Sequence, residues 1–298
     1  MAWFGSKRRR VGRAIHFDKI SVSARNILVG AGFVPESEPT KADSLWVRED
    51  FRKYLPDLGP HQLINRLPAE REIIHKTNLA MHLQEYQRTC VPGEIELSEF
   101  FQETYCLDVE EQRKAFFSAR PTPAQRDDLW ILKPGGLSRG QGIKILWNFD
   151  NLRKSFRNNG KLARNCIKDR YIAQRYIKNP LLLEGRKSEL RIYWLVACVR
   201  PLLVLMFQEG TTRLNTLKFK LGDFDNPLVH ITNVYQQKLN PNFDPNVSLK
   251  WSWPRLQVYL KDHLGLSDKT FLEKQLKPRI HQALRFVVRA TFHKLIKV

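Results

Sequence analysis

The segment of the chain best suited to binding phosphate is Lys133-Pro-Gly-Gly-Leu-Ser-Arg-Gly-Gln-Gly142. It holds four of the 15 glycines of the chain, and glycines let backbone N–H groups converge on phosphate oxygens because no Cβ is in the way. The lysine at its start can meet phosphates as a point charge. The segment lies between two predicted strands and lacks Gly-Lys-Ser/Thr, which disfavours a Walker A loop and a dinucleotide fingerprint. By itself, it is compatible with a phosphate-binding loop and equally with a glycine-rich surface hairpin.

Charged residues alternate in a second segment. Lys187, Glu189 and Arg191 are two positions apart, and on a strand this spacing places all three on one face. A carboxylate between two cations is compatible with a solvated charge ladder, and also with a site that handles phosphate together with a ribose hydroxyl or a metal ion. Two shorter polar segments are Glu209-Gly-Thr-Thr-Arg213 and His230-Ile-Thr-Asn233. Either could simply satisfy local hydrogen bonds.

Strands and helices predicted around these segments would position them. β-branched and aromatic content predicts strands over residues 129–132, 143–147, 171–177 and 229–234, and a hairpin over 190–207 that turns at Arg200-Pro201. Apolar residues at helical spacing predict helices over 73–86, 150–158 with Gly160 as its C-terminal cap, 254–264, and from 280 onward. Strands in hairpins mixed with helices favour an α+β fold over an alternating parallel α/β fold.

The composition indicates a folded protein with a preference for acidic partners. The chain has 298 residues, 42% of them hydrophobic, and a formal charge of 50 − 30 = +20, which favours nucleic acid, anionic membrane, nucleotide phosphates or an acidic protein. Its longest apolar run, Ile192 to Val199, is far shorter than the roughly 20 residues of a membrane-spanning helix. Four cysteines without a C-x-x-C motif predict a reduced, cytoplasmic protein with neither zinc nor disulfides.

Taken together, the order and spacing of the motifs resemble the tubulin–tyrosine ligase-like family over roughly residues 65–250. The motifs that carry the resemblance are Lys76, the Lys133 glycine loop, 174–177, 179–183 with 185–193, Glu209-Gly-x-x-Arg213 and His230-Ile-Thr-Asn233. The resemblance implies an ATP-grasp fold, in which two α+β lobes hold ATP. It also implies a reaction that joins an amino acid to a glutamate side chain or to the C-terminal carboxylate of tubulin, forming ADP and phosphate.

The resemblance also implies roles for individual residues in nucleotide binding. Lys76 and Lys133 correspond to the lysines on the phosphates, and Arg139-Gly140 to the flap over them. The hinge whose backbone reads the adenine edge corresponds to Gln174, Arg175, Tyr176 and Ile177.

Further positions correspond to residues near the ribose, the phosphates and the substrates. Lys187 and Glu189 occupy the family's Lys-x-Asp positions, where glutamate replaces the usual aspartate and adds a methylene. Thr232 and Asn233 correspond to a pair near the phosphates. The cations that face the acceptor carboxylate and the amino acid correspond to Arg191 and Arg213, and Lys250 matches by spacing a lysine on the incoming amino acid.

One part of the family pattern has no counterpart in the sequence. Family members end the catalytic domain with a strand carrying Glu-x-Asn, preceded by an Asp, and these hold Mg²⁺. Only 298 − 233 = 65 residues follow Asn233, and they contain no Glu-x-Asn. We therefore expect a C-terminal lobe that ends before the metal-ligand strands. The expected division is an N-terminal region 1–64, a connecting lobe 65–128 that ends in a Pro-containing linker over 118–128, a central lobe 129–185 with the glycine flap, and a C-terminal lobe 186–298.

Two functions are therefore compatible with the sequence. The first is an ATP- and Mg²⁺-dependent ligase that adds glutamate, glycine or tyrosine to tubulin or to another acidic protein tail. The second is a catalytically impaired relative that binds tubulin or microtubules through its basic surface. A nucleic-acid partner is disfavoured because no RRM, KH, zinc-finger or helix-turn-helix signature is present. A monomer at the microtubule cytoskeleton, including a cilium or basal body, is the expected setting.

Overall fold

The computed structural model describes residues 13–48, 50–89, 93–120, 128–266 and 271–295. Its contacts divide the described residues into two units, with the boundary between Glu70 and Arg71. The finer boundaries after residues 64, 128 and 185 stay predictions, and residues 121–127 of the predicted linker lie outside the described residues. All site residues predicted from the sequence belong to the second unit.

The first unit is built on a four-stranded parallel sheet. Its strands, in the order β2-β1-β3-β4, are β1 (Ala14–Asp18), β2 (Val34–Pro35), β3 (Ser44–Val47) and β4 (Leu63–Ile64). The connections hold helix α1 (Val22–Gly30) and the 3₁₀ helices Pro39–Lys41 and Phe51–Tyr54. Leu45, Val47 and Phe51 are in its buried core, so a small hydrophobic cluster stabilises this sheet.

The second unit begins with helices that pack around an antiparallel sheet. The helices are α2 (Arg71–Ile74), α3 (Lys76–Gln87), the 3₁₀ helix Leu97–Glu99, α4 (Glu110–Ser118), α5 (Asp150–Arg157) and α6 (Lys161–Lys168). The strands, in the order β5-β8-β6-β7, are β5 (Thr104–Cys106), β6 (Trp130–Lys133), β7 (Lys144–Leu146) and β8 (Ile172–Arg175). Phe116 and Trp130 are fully buried and meet edge-to-face at 5.2 Å. The glycine loop thus connects two strands, β6 and β7, that a large aromatic core holds in place.

A second antiparallel sheet follows in the same unit. Its strands, in the order β14-β13-β10-β9, are β9 (Leu182–Leu183), β10 (Arg186–Arg191), β13 (Thr211–Lys218) and β14 (Lys250–Ser252), and β11 (Trp194–Val199) pairs with β12 (Leu202–Met206) in a separate hairpin. The helices are α7 (Pro227–His230), α8 (Val234–Gln237), α9 (Trp253–Leu264), the π-helix Phe271–Leu276 and α10 (Lys277–Leu295). The apolar core beneath this sheet includes Leu183, Leu214 and Leu256. A separate cluster of Leu83 with Phe286 packs α10 against α3.

The predicted α+β class is confirmed, because mixed helices and antiparallel sheets dominate the second unit. Most predicted elements are present with ends shifted by one to three residues. The helix predicted over 73–86 is divided at His75 into α2 and α3. In the predicted hairpin, Leu190 belongs to the preceding strand β10, while Arg200-Pro201 does form the turn, with a cis peptide bond.

Two local predictions are wrong. Residues 229–234 are not a strand: the side chain of Asn226 accepts a hydrogen bond from the N–H of Leu228 at 3.1 Å and starts α7, so a helix cap outweighs the β-branched content of this segment. Gly160 is not the C-terminal cap of α5. Asn159 takes the left-handed conformation instead, with φ 48°, and Gly160 is the N-cap of α6, a helix that the sequence analysis missed.

Two further observations concern the whole described chain. Within the described residues, no helix is both long and apolar enough to cross a membrane. Cys106, Cys166 and Cys198 are free thiols, and burial raises the pKa of Cys106 to about 12 and that of Cys166 to about 11.

The core position Leu214 gives a direct test of this packing, because the residue is fully buried next to Arg213 on β13. We expect Leu214→Ala to lower the free energy of unfolding by about 2–5 kcal/mol, through lost burial and the cavity that remains. Leu205 is 50% exposed on the hairpin, so the matched control Leu205→Ala should change it by no more than about 0.5 kcal/mol. Denaturant titration of both variants measures the difference, and equal losses would contradict the described core.

Candidate active site

A cleft of about 540 Å³ lies between the glycine loop and the second sheet. Its walls contain seven of the residues predicted from the sequence: Lys76, Arg139, Gly140, Arg191, Arg213, Asn233 and Lys250. Five of these seven are cations, and none of the lining residues is an aspartate or a glutamate. A concave surface of this charge is suited to binding a polyanion.

The glycine loop forms one wall of the cleft, and Lys76 at the start of α3 holds it in place. The Nζ of Lys76 donates to the carbonyl oxygens of Leu137 at 2.7 Å and Pro134 at 3.1 Å, and burial lowers its pKa. On the other side of the loop, the N–H of Gly135 donates to the carbonyl of Asp169 at 3.0 Å. The loop is therefore held from both sides.

The tip of the loop needs its glycines. Arg139 and Gly140 adopt positive φ angles of 60° and 77°, and a Cβ at Gly140 would be 2.9 Å from Ile231 and 2.7 Å from Gln236. The side chain of Gln236 also donates to the carbonyl of Arg139 at 3.3 Å. Since the loop touches the segment around α8, the predicted flap and the predicted Thr232-Asn233 pair come together here.

Three charged residues form a row across the second sheet, and two of them, Arg213 and Lys250, line the opposite wall of the cleft. In the strand register, Glu189 on β10 is opposite Arg213 on β13, which in turn is opposite Lys250 on β14. The Nη1 of Arg213 donates to one oxygen of Glu189 at 3.1 Å. The hydroxyl of Thr232 donates to the other oxygen. Glu189 therefore fixes a cation from the sheet and a hydroxyl from the loop after α7.

Lys133 is the last residue of β6 and is half-buried. Its Nζ donates to the side-chain oxygen of Gln174 on β8 at 2.6 Å, and the amide of Gln174 donates in turn to the hydroxyl of Thr104 at 2.9 Å. Burial, assisted by the charge of Lys76, lowers the pKa of Lys133 to about 8, while Glu189 opposes the shift. An anion bound nearby would favour the charged form of this lysine and raise its pKa.

Lys187 is held by a chain of hydrogen bonds with only one proton arrangement. The carbonyl of Asp223 can only accept, so the Nε2 of His230, 2.7 Å away, carries the ring proton. The Nδ1 of His230 then accepts from the hydroxyl of Tyr176 at 2.8 Å. The same hydroxyl oxygen accepts from the Nζ of Lys187 at 3.0 Å.

The electrostatics of this chain agree with that proton arrangement. Burial lowers the pKa of Lys187 to about 8, with a further lowering by Lys133 and an opposing effect of Glu189. Burial also lowers the pKa of His230 and raises that of Tyr176. The imidazole and the phenol therefore stay neutral, and Lys187 is the member of the chain that changes charge near pH 8.

None of the four predicted hinge residues lines the cleft, although the side chains of Gln174 and Tyr176 bond to Lys133 and Lys187. Arg175 alternates with Gln174 and Tyr176 along the chain, so its side chain points to the opposite face. There it pairs with Glu103 at 2.6 Å and with Asp128 at 3.2 Å. Ile177 is 50% exposed. The resemblance implies that the backbone of residues 174–177 reads the adenine edge. The positions of the side chains do not bear on this backbone role, which stays a prediction.

Two buried amides that position the site were missed by the sequence analysis. Asn215 on β13 donates to the carbonyl of Val229 at 2.7 Å. Gln237 on α8 accepts from the hydroxyl of Thr216 at 2.8 Å and donates to the carbonyl of Ile231 at 2.6 Å. Together they hold the segment with Thr232 and Asn233 against the sheet. A signal did exist, since Asn215 follows Arg213 by two positions and so shares its strand.

The described residues contain no group of three or more His, Cys, Asp or Glu side chains that could hold a metal ion. Glu189 is near the cleft, but both of its carboxylate oxygens already accept hydrogen bonds from Arg213 and Thr232. The cleft therefore presents cations around a glycine loop, and a site of this charge is suited to binding phosphates and carboxylates.

Fold and cleft together describe an α+β protein with a cation-lined cleft beneath a glycine loop. The chain belongs to the tubulin–tyrosine ligase family, whose model matches residues 54–295. It is 29% identical over 261 residues to Probable tubulin polyglutamylase TTLL9 of Bos taurus, covering 75% of this chain and 54% of that protein. It is 31% identical over 237 residues to Probable alpha-tubulin polyglutamylase Ttll1 of Tetrahymena thermophila, covering 72% and 55%.

A relative named for a different amino acid also matches. The chain is 30% identical over 222 residues to Protein polyglycylase TTLL10 of Rattus norvegicus, covering 67% of this chain and 31% of that protein. The chain thus spans about half the length of the two polyglutamylases that it matches.

The close approach at Gly135 gives a test of the glycine loop. A Cβ there would lie 2.3 Å from the ring of His75 and 2.7 Å from the carbonyl of Arg170, whereas a Cβ at Gly136 would meet only His75, at 3.6 Å. We expect Gly135→Ala to lower the free energy of unfolding by about 1–3 kcal/mol through overpacking. Gly136→Ala should be close to neutral. Thermal or denaturant unfolding compares the pair, and an equal effect would show that the loop does not approach α3 this closely.

Proposed function

We propose that this protein is an ATP-dependent protein–amino acid ligase of the ATP-grasp type, which forms an amide between a free amino acid and a carboxylate of tubulin. The observation that carries the proposal is the cation-lined cleft under the glycine loop, together with the half-buried Lys133 and Lys187, whose pKa values burial lowers to about 8. Family membership and the names of the relatives support the choice of reaction and substrate. The two lobes that hold ATP would be the portions of the second unit built on its two four-stranded sheets.

In this proposal, the glycine loop and three cations bind the ATP phosphates. Lys76 and Arg139 line the cleft on the loop side, and Lys133 is at the end of the strand that leads into the loop. Gly140 lets the flap lie close over the phosphates. The Lys76 ammonium, now bonded to loop carbonyls, would exchange one of these for a phosphate oxygen.

The remaining nucleotide contacts would come from the hinge and from the centre of the second sheet. The backbone of Gln174, Arg175, Tyr176 and Ile177 would read the adenine edge. Lys187 and Glu189 would lie near the ribose and phosphates, and Thr232 and Asn233 near the phosphates. Glu189 reaches Arg213 and Thr232 with its longer side chain, so the extra methylene relative to the family's aspartate is accommodated by these two partners.

The acceptor and the amino acid would be bound by the cations of the opposite wall. Arg191, Arg213 and Lys250 line the cleft together. Arg213 offers its second Nη to a carboxylate, because Nη1 already donates to Glu189. We assign Arg191 and Arg213 to the acceptor carboxylate and to the transition state, and Arg213 and Lys250 to the incoming amino acid.

Such a reaction needs positioning and positive charge and no protein nucleophile. A carboxylate oxygen of the acceptor attacks the γ-phosphorus of ATP, and ADP leaves with the electrons of the broken P–O bond. The amine of the amino acid, after losing a proton to solvent, then attacks the acyl carbon, and phosphate leaves with the C–O electron pair. The amide nitrogen finally releases its second proton. Cations fixed around the oxyanions stabilise both steps.

Mg²⁺ is the metal implied for this chemistry, where it shields phosphate charge. Among the described residues, no set of acidic side chains is free to hold it: no carboxylate lines the cleft, and Glu189 is occupied. The described residues therefore do not fit a Mg²⁺ ion held by protein carboxylates.

The proposed partners are tubulin, or another protein with an acidic tail, and a free amino acid. Polyglutamylases and a polyglycylase both appear among the named relatives, so glutamate and glycine are the amino acids to test first, with tyrosine third. We propose that the protein acts as a monomer at microtubules, including those of a cilium or basal body.

A second candidate function is binding without catalysis. The charge excess of the chain lies entirely in residues 129–298, which hold 31 Lys plus Arg and 11 Asp plus Glu, a difference of +20. A surface of this charge would attach to acidic tubulin tails even in the absence of ligation. The two candidates differ in whether tubulin gains mass.

Mass spectrometry of tubulin tests both candidates. We expect incubation with the chain, ATP, Mg²⁺ and one amino acid at a time to add that residue to a tubulin tail peptide. Lys133→Ala should reduce the product at least about tenfold, because it removes a half-buried charge next to the proposed site of the phosphates. Lys261→Ala on exposed α9 is the matched control and should retain activity. Tubulin that binds the chain but gains no mass would favour the second candidate.

The lowered pKa values of Lys133 and Lys187 predict how nucleotide binding depends on pH. Lys133 and Lys187 both have pKa values lowered to about 8, so they lose their charge as the pH rises through 8. ATP should raise these pKa values again by favouring the charged form. We therefore expect proton uptake on binding near pH 8, and an affinity that falls by up to about tenfold per pH unit and per linked proton above it.

Isothermal titration calorimetry in buffers of different ionisation enthalpy measures this proton uptake directly. In Lys187→Met, one of the two titrating groups is absent, so the uptake should be smaller and the pH dependence flatter. Constant affinity from pH 7 to 9 in the wild type would exclude both lysines from the nucleotide site.

A further inference from the structure

The helices α5 and α6 expose a strip of cations outside the cleft. Its members, called here the basic helix pair, are Lys154, Arg157, Lys161, Arg164 and Lys168, all of them exposed. Lys161, Arg164 and Lys168 follow one another at helical spacings of three and four, which places them on one face of α6. The opposite face of α6, with Ala163 and Cys166, is buried against the aromatic core. The cations of α6 therefore face the solvent.

These cations do not stabilise the fold through ion pairs. Among the residues that the structure describes, none of the five pairs with a carboxylate, and Arg164 donates only to the carbonyl of Asn159. The helix dipole disfavours Lys161 in the first turn of α6 but favours Lys154, Arg157 and Lys168 in the last turns of their helices. The like charges of Lys161, Arg164 and Lys168, three and four residues apart, repel one another. An acidic partner would relieve this repulsion.

The C-terminal end of the strip adjoins the glycine loop. Directly after Lys168, the carbonyl of Asp169 accepts from the N–H of Gly135 at 3.0 Å. Gly135 lies between Pro134 and Gly136, which both line the cleft. The end of α6 is therefore next to one wall of the cleft.

The chemistry of the strip favours an acidic polypeptide over nucleic acid. Single-stranded nucleic acids are bound by stacking bases on aromatic side chains. The only aromatic residue between 150 and 168 is Phe156, and its ring packs inward against Phe117 at 5.7 Å. Exposed cations without a neighbouring aromatic surface for base stacking are complementary in charge to the carboxylates of a glutamate-rich segment.

We propose that the basic helix pair is a second binding surface of this protein, which binds an acidic, glutamate-rich polypeptide next to the residue that enters the cleft. This inference rests on the proposed function for the identity of the polypeptide as the ligase acceptor. It adds that the acceptor is recognised by its acidic neighbours, at a surface separate from the ATP-binding residues.

Two charge-matched variants of the full chain test the proposal. The first carries Arg157→Gln, Lys161→Gln, Arg164→Gln and Lys168→Gln, and the control carries Lys238→Gln, Lys261→Gln, Lys274→Gln and Arg285→Gln, which are also exposed. Fluorescence anisotropy with a labelled glutamate-rich peptide should show at least about tenfold weaker binding for the first variant at low salt, and less than about threefold for the control. ATP affinity should be unchanged in both variants.

The other outcomes decide against the proposal in separate ways. Equal losses in the two variants would show that only the net charge matters, and tighter binding of a single-stranded RNA than of the peptide to the wild type would make the surface a nucleic-acid site. If the wild type binds the peptide through this strip but binds no ATP, the proposed ligase function fails while the surface remains. If ATP binds and the first variant retains full peptide affinity, the surface fails while the ligase proposal remains.

Discussion

The cleft depends on the hydrogen bonds that the carboxylate of Glu189 accepts from Arg213 and Thr232. Lys133 lies close enough to Lys187 for its charge to lower the pKa of Lys187, and the charge of Lys76 lowers the pKa of Lys133 in the same way. Glu189 opposes the lowering of both lysine pKa values and bonds directly to Arg213. Its second oxygen accepts from Thr232. One carboxylate therefore makes a cluster of cations compatible with a folded protein and ties two segments of chain to it.

The rest of the second unit holds this cluster against the glycine loop. The buried amides of Asn215 and Gln237 secure the segment that carries Thr232, and an aromatic core around Trp130 fixes the strands on either side of the loop. Lys76 reaches the loop carbonyls from α3. These contacts hold the positive charges in place in the absence of a bound anion. In the proposed reaction they would provide the electrostatic preorganisation that stabilises phosphoryl and acyl transfer.

Prediction from the sequence succeeded where short-range chemistry decides the structure and was wrong where distant contacts do. The spacing of Lys187, Glu189 and Arg191 correctly indicated one strand, because the two-residue period is a property of the strand itself. The strand predicted at 229–234 is instead helical at its start, since a cap at Asn226 and a bond from Asn215 outweigh local preference. No pattern in the chain could show that His230 and Tyr176 hold Lys187.

The sequence by itself determined the α+β class, the glycine loop and the shared strand of Lys187, Glu189 and Arg191. These follow from residue types and spacings, which act over a few positions, whereas the candidate roles of Lys76, Arg213 and Lys250 came from the resemblance to the family. Only the tertiary structure decided which of those residues meet: it places Lys76, Arg213 and Lys250 around one cleft and turns the side chain of Arg175 to the opposite face. The physical reason is that burial, strand register and pKa depend on contacts between residues far apart in the chain, and those distances exist only after folding.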